Sequence, residues 1–201
     1  MIAMQVDGPA AARTTIVLAH GAGAGMDHPF LATVARGLAA HGFRVVRFDF
    51  PYRTAGKRAP DRMPVLQAAL REVVASCGPG KVALAGKSMG GRVATMLADE
   101  LAVPAVVVFG YPFHPPAEPS KLRTAHLADL RTPTLILQGE RDEFGTRDEV
   151  AHYTLAKAIT VQWFADGDHS LEPRKRSGHS AAGHLQTAID SAAAFVAQHV
   201  A

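Results

Sequence analysis

The sequence predicts an α/β fold: a mainly parallel sheet of six or seven strands with helices on both faces, in a single domain over residues 1–201. Two observations predict it. Short apolar runs recur at residues 14–19, 43–49, 82–85, 105–110, 134–137 and 159–164, and they read as continuous rather than alternating. Strands of that kind are buried on both faces, as in parallel sheets. Between them, apolar residues return at helical spacing: Leu31, Val34, Leu38; Leu66, Leu70, Val73, Val74; and Leu185, Ile189, Ala192, Val196. Strand and helix alternating along one chain give parallel strands with crossover helices.

Taken in order, residues 14–19 form the first strand, followed by the glycine-rich turn His20-Gly21-Ala22-Gly23-Ala24-Gly25. Asp27 is the expected N-cap of the next helix, which stops at His41-Gly42. After the strand at 43–49, residues 51–64 form a loop rich in proline and basic residues. The following helix closes at Gly78-Pro79-Gly80. Beyond the strand at 105–110, a proline-rich loop and one short helical stretch lead to Pro133, residues 146–158 are expected to be helical, and a long amphipathic helix ends the chain.

Composition excludes several classes. A formal charge of +3 gives no reason to expect nucleic-acid binding, and no apolar run approaches the roughly 20 residues of a membrane span. Residues 1–7 lack the basic start and apolar core of a secretory signal, and the single cysteine, Cys77, fits a reducing compartment, so the chain reads as cytoplasmic.

The chemistry concentrates at Gly86-Lys87-Ser88-Met89-Gly90-Gly91, where an apolar strand runs into Gly-x-Ser-x-Gly and then into a helix. Strand, tight turn and helix form the context in which this pattern presents a nucleophilic serine. Loops that follow parallel strands gather at one edge of the sheet, which places residues 20–25, 50–62, 86–89, 111–119, 139–145 and 165–180 around one site. A serine needs a base, and the base needs an acid to fix its tautomer. His169, just past the last strand, is the base, with His179 as its rival; His20, His41 and His114 precede the acid or lie off the site. Asp142 is the acid, in competition with Glu140, Glu143 and Asp166, while Asp168 shapes the turn beside His169. Acyl transfer also needs two amides for an oxyanion, and these are assigned to Met89 and Ala22, with Gly23 as the alternative to Ala22. Two nucleotide-binding patterns fail: Lys81 stands where a phosphate-binding Walker loop requires glycine, and Met26 where the dinucleotide fingerprint requires its third. No cofactor and no metal are expected.

With these segments, and with Gly110-Tyr111-Pro112-Phe113-His114-Pro115 and Asp166-Gly167-Asp168-His169-Ser170, the chain resembles the α/β-hydrolase superfamily. It is most similar to the small bacterial hydrolases near the dienelactone-hydrolase group, related to testis-expressed hydrolase-like proteins and a non-specific-lethal complex subunit. The resemblance implies a compact hydrolase fold and a triad at Ser88, Asp142 and His169. Dienelactone hydrolases carry a cysteine where Ser88 stands, so their substrate does not carry over. About twenty residues separate the strand ending near Gly110 from the one bearing the acid, too few for a lid domain.

The expected function is therefore cleavage of an ester or thioester of a small molecule through an acyl-enzyme. The alternatives are a non-catalytic binding or scaffold protein, or an acyltransferase or small peptidase with the same triad. Lys87, Arg53, Lys57, Arg58, Arg62, Arg141, Arg174, Lys175 and Arg176 all fall in site-facing segments, which suggests a cationic rim attracting anionic substrates. Tyr52, Tyr111, Phe113 and His114 read as packing around the loops, and Cys77 as a small residue ending a helix far from the site. The sequence leaves the oligomeric state open.

Overall fold

A computed structural model describes residues 2–78 and 80–200. Among these, seven strands form one sheet in the order β1-β3-β2-β4-β5-β6-β7: β1 (Met4–Asp7), β2 (Thr14–Ala19), β3 (Arg44–Phe48), β4 (Lys81–Lys87), β5 (Val106–Phe109), β6 (Thr134–Gly139) and β7 (Ile159–Phe164). Only β1 runs antiparallel, paired with β3 in the register Met4↔Phe48. This is the expected α/β architecture with the larger of the two strand counts. The apolar pattern of the sequence predicts six of these strands, and β1 is the seventh: four residues long, half exposed and on the sheet edge, with too little apolar patterning to mark it.

Side chains alternate between the two faces of a strand. Val17 and Ala19 of β2 therefore point one way, into a core with Leu66, Leu70 and Val73 of α3 (Met63–Ser76) and Val93, Ala94 and Leu97 of α4 (Met89–Leu97). Ile16 and Leu18 point the other way, toward Leu31, Val34 and Leu38 of α1 (Pro29–Ala40) and Ile189, Ala192 and Val196 of the C-terminal α6 (Ala181–His199). Burying a Val, Leu or Ile side chain contributes roughly 1.5–3 kcal/mol, and both faces of the central strands collect it. Helices α1 and α6 approach closely at Gly37, where a Cβ would lie 2.7 Å from Ile189 Cγ2.

Three local expectations are corrected. The N-cap of α1 is His28, whose Nδ1 accepts from the Phe30 amide at 3.3 Å, not Asp27, whose carboxylate instead accepts from Gln5. With Pro29 as the first helical residue, the helix starts one position later than an Asp27 cap would place it. The 51–64 loop contains a single helical turn, α2 (Pro51–Thr54). The helix expected over 146–158 is one turn, α5 (Arg147–Val150), held by a capping box between Thr146 and Glu149. Past it the backbone bonds elsewhere: Ala156 donates to the Leu127 carbonyl, and the Ala158 carbonyl accepts from Thr134 at the start of β6. The expected stop at Gly78-Pro79-Gly80 begins at Gly78, with φ +77°; Pro79 lies outside the described residues.

Between β5 and β6 the chain holds only one 3₁₀ turn, Ala125–Leu127, in keeping with the expected absence of a lid. Among the described residues no helix is long and apolar enough to cross a membrane.

Candidate active site

The sheet order brings the chemistry together. Strands β2 and β4 are parallel neighbours, with Ala19 opposite Gly86, so the glycine turn after β2 ends beside Ser88 after β4. The loops after β6 and β7 arrive from the other side, carrying Asp142 and His169.

Ser88 stands between β4 and α4 at φ +52°, ψ −115°, a conformation that L side chains adopt only when their surroundings force it. Two glycines do the forcing. A Cβ on Gly86 would lie 2.4 Å from the Gly90 carbonyl carbon and the Gly91 nitrogen, and one on Gly90 would lie 2.5 Å from the Ala19 carbonyl oxygen. Strand and helix can close into so tight a turn only because neither residue has a side chain.

The Ser88 hydroxyl lies 2.8 Å from His169 Nε2, and His169 Nδ1 lies 2.7 Å from Asp142 Oδ2. Both oxygens of the fully buried Asp142 accept from N–H groups, so in the pair with His169 it is Nδ1 that donates to Oδ2, which leaves Nε2 free to accept from the serine. Every oxygen of Asp142 is engaged: Oδ1 accepts from the Phe144 amide at 2.9 Å, and Oδ2 accepts a second bond from Gln138 Nε2 at 2.8 Å. Gln138, itself fully buried, is braced in turn by the Tyr111 amide, which donates to its Oε1 at 2.7 Å. The Phe144 ring lies over the His169 ring at 4.2 Å between centroids. Burial lowers the His169 pKa from its ordinary value, against the opposing hydrogen bond to Asp142, and the nearby Lys87 charge lowers it further. The imidazole is thereby kept neutral and able to accept at neutral pH.

The competing residues are engaged elsewhere. His179 is exposed and stacks near His184 on α6; His41 bonds Asp190; His114 is buried against the Pro115 carbonyl. Glu140 pairs with Arg147, and Asp166 with Arg141 and Arg174, whose hydrogen bond holds the Asp166 carboxyl down to about 2. Glu143 is exposed. Asp168 does shape its turn, accepting from the Ser170 and Glu172 amides at 2.8 and 3.0 Å.

The Ala22 and Met89 amides donate no hydrogen bond among the described residues, and both residues line the cavity over Ser88. The turn that presents Ala22 is held from below by His20, wholly buried, whose Nδ1 donates to the Gly21 carbonyl at 2.8 Å while Nε2 accepts from the Phe50 amide at 3.1 Å. Burial lowers the His20 pKa, consistent with a neutral ring acting as a brace.

The cavity has a volume of about 570 Å³ and is walled by Phe30, Leu31, Met63, Leu66, Met89 and Phe144. That size suits a small organic molecule. Its cations differ from the expected rim. Of those, only Lys87 lines it; its ammonium donates to the His169 carbonyl at 2.6 Å, and burial pushes its pKa down to about 8. Two further cations, Arg92 and Arg123, line the cavity from outside the segments that the sequence places at the site. Arg92 carries a sequence signal even so, since it follows Ser88 by four residues, one helical turn, on the same face. Tyr52, Tyr111, Phe113 and His114 are buried in the core, as packing residues. Cys77 caps α3 and its thiol donates to the Val73 carbonyl. Among the described residues no three His, Cys, Asp or Glu side chains are arranged to hold a metal ion.

Three solved structures illustrate what the chain is similar to. Est1E from Butyrivibrio proteoclasticus, with ferulic acid bound, superimposes with a TM-score of 0.78 at 15% identity, over 99% of this chain and 95% of that one. Dienelactone hydrolase from Anabaena variabilis gives 0.74 at 22%, over 100% and 93%. A protein from Xanthomonas campestris, described as an a/b serine hydrolase without a lid, gives 0.71 at 21%, over 99% and 88%. At these identities the likeness is one of fold. A family model of the alpha/beta hydrolase domain, however, matches residues 12–197, nearly the whole chain, and the protein belongs to that family.

Proposed function

We propose that the protein is a serine hydrolase that cleaves an ester or thioester of a small substrate through an acyl-enzyme intermediate. One observation carries the reading: an unbroken hydrogen-bonded line from Asp142 through His169 to Ser88, at 2.7 and 2.8 Å, ending in a cavity bordered by two free amides. The Ser88 oxygen attacks the scissile carbonyl as His169 Nε2 takes its proton, and the amides of Met89 and Ala22 hold the resulting oxyanion. The tetrahedral intermediate collapses, the C–O or C–S bond breaks, and His169 returns the proton to the departing alcohol or thiol. Water, deprotonated by His169, then attacks the acyl carbon and releases the acid and free Ser88. Asp142 holds the imidazole in the required tautomer throughout and stabilises its charged form.

The test is covalent labelling by a fluorophosphonate, which reacts only with an activated serine. Wild type is expected to label and Ser88→Ala not to. Absence of labelling in the wild type between pH 6 and 9 would refute the reading and leave a binding or scaffold protein on a hydrolase fold.

A further inference from the structure

We infer that Arg92 and Arg123 form an anion subsite in the wall of the Ser88 cavity, so that the ester or thioester cleaved there bears a carboxylate or phosphate group a few bonds from its scissile carbonyl. The inference rests on the hydrolase reading and names its substrate class.

Arg92 and Arg123 both line the cavity that contains Ser88 and His169. Neither forms an ion pair or a side-chain hydrogen bond among the described residues, and Arg92 Nε is buried without an acceptor. A buried donor with no partner is costly, and a protein normally supplies one. These two cations also repel each other: Arg123 has its pKa lowered first by burial and then by the Arg92 charge. His126, beside them through Thr95, is pushed down to about 4 by burial and by Arg92, so it stays neutral and cannot add to the repulsion. One carboxylate, Asp61, lines the same cavity, and it is not ion-paired to either arginine. Two unpaired arginines lining one cavity call for an anion as their partner.

The placement is fixed by the fold. Arg92 leaves α4 one turn after Ser88, and its amide donates to the Ser88 carbonyl at 3.0 Å. Arg123 is pinned by its backbone: its amide donates to the Phe113 carbonyl at 2.7 Å, and its carbonyl accepts from the Tyr111 hydroxyl at 2.8 Å. Both forks are therefore held at their base and free at their tips, the arrangement that recognises carboxylate or phosphate through paired N–H donors. The rim cations cannot serve in this way. Arg141 and Arg174 are committed to Asp166, and Lys57, Arg58, Lys175 and Arg176 do not line the cavity.

The test follows the labelling of Ser88 by a neutral fluorophosphonate while glutarate or glycerol phosphate is added at constant ionic strength. One or both anions are expected to slow labelling in the wild type, and whichever does so separates carboxylate from phosphate as the recognised group. In Arg92→Met and Arg123→Met the protecting concentration is expected to rise about 10- to 100-fold, the range for losing a charge-assisted hydrogen bond. A second measurement compares kcat/KM for the 4-nitrophenyl monoester of glutaric acid with that for 4-nitrophenyl butyrate. The ratio is expected to exceed about ten in the wild type and to fall toward one in either variant. Labelling that neither anion slows, or protection that survives both substitutions, overturns the subsite and leaves the hydrolase reading intact. Failure of the wild type to label removes the hydrolase reading itself.

Discussion

Two walls of the same cavity treat their polar groups in opposite ways. On the side of β6 and β7, every group has a partner: Asp142 accepts three bonds, Gln138 is bonded at both ends of its amide, and His169 is held at both nitrogens. On the side of α4 and the loop that follows β5, Arg92 and Arg123 have none. A closed network and an open one answer different needs. Saturation fixes geometry before substrate arrives, which acid–base chemistry requires; open donors can be completed only by something that enters from solvent. Substitutions on the first wall should therefore leave polar atoms stranded, and substitutions on the second should relieve a cost.

The largest effect is expected at Asp142. In Asp142→Asn an amide faces His169 Nδ1 and invites the wrong tautomer, so kcat/KM should fall by about 10⁴-fold while fluorophosphonate labelling slows in parallel. Gln138→Leu comes next. It strands the Tyr111 amide, an orphan costing about 1–3 kcal/mol, and takes one of the two donors from Asp142 Oδ2, which keeps His169, so urea unfolding should show a loss of about 1–3 kcal/mol. An unfolding midpoint equal to wild type would mean the network is not closed as described. Arg92→Met belongs to the other wall and should show the contrast: no stranded partner, a buried unpaired donor removed, and unfolding free energy unchanged to within about 0.5 kcal/mol or raised. A clear loss of stability there would reveal a partner for Arg92 within the protein.

The same division governs what could be read from the sequence. Ser88, Asp142 and His169 were legible because each lies within a few residues of a strand end, and a parallel sheet delivers all such positions to one edge. The glycine constraint around Ser88 was legible because a steric need writes itself into residue type. Gln138 was not: it ends an apolar strand, and only the return of the 139–145 loop brings Asp142 back over its amide. Arg123 was hidden differently. It reaches the cavity from a long irregular segment whose path is set by single tertiary bonds, such as its own amide to Phe113. Which of the rim cations are free was not legible, because loop position says which edge a cation is near, whereas a partner such as Asp166 decides whether its charge is paired.

Lys87 touches both walls, and the smallest effect is expected from it. Its ammonium donates to the His169 carbonyl, so it belongs to the closed network, yet its charge acts on the cavity and depresses the His169 pKa. In Lys87→Met that field is lost. The His169 pKa should rise, and the acid limb of kcat/KM should move to higher pH by about a few tenths of a unit, up to one. The lysine's own titration gives the matching signature in stability. Burial lowers its pKa from 10.5 to about 8 in the folded chain. Below that value it is charged in both folded and unfolded states, and the cost of burying the charge is fully present. As pH rises from about 8 toward 10.5, the folded chain has released a proton that the unfolded chain still holds, so stability must rise. Urea midpoints at pH 7 and pH 10 should therefore diverge in favour of wild type over Lys87→Met at the higher pH. A difference between the two proteins that stayed constant with pH would place the ammonium in solvent rather than between the walls.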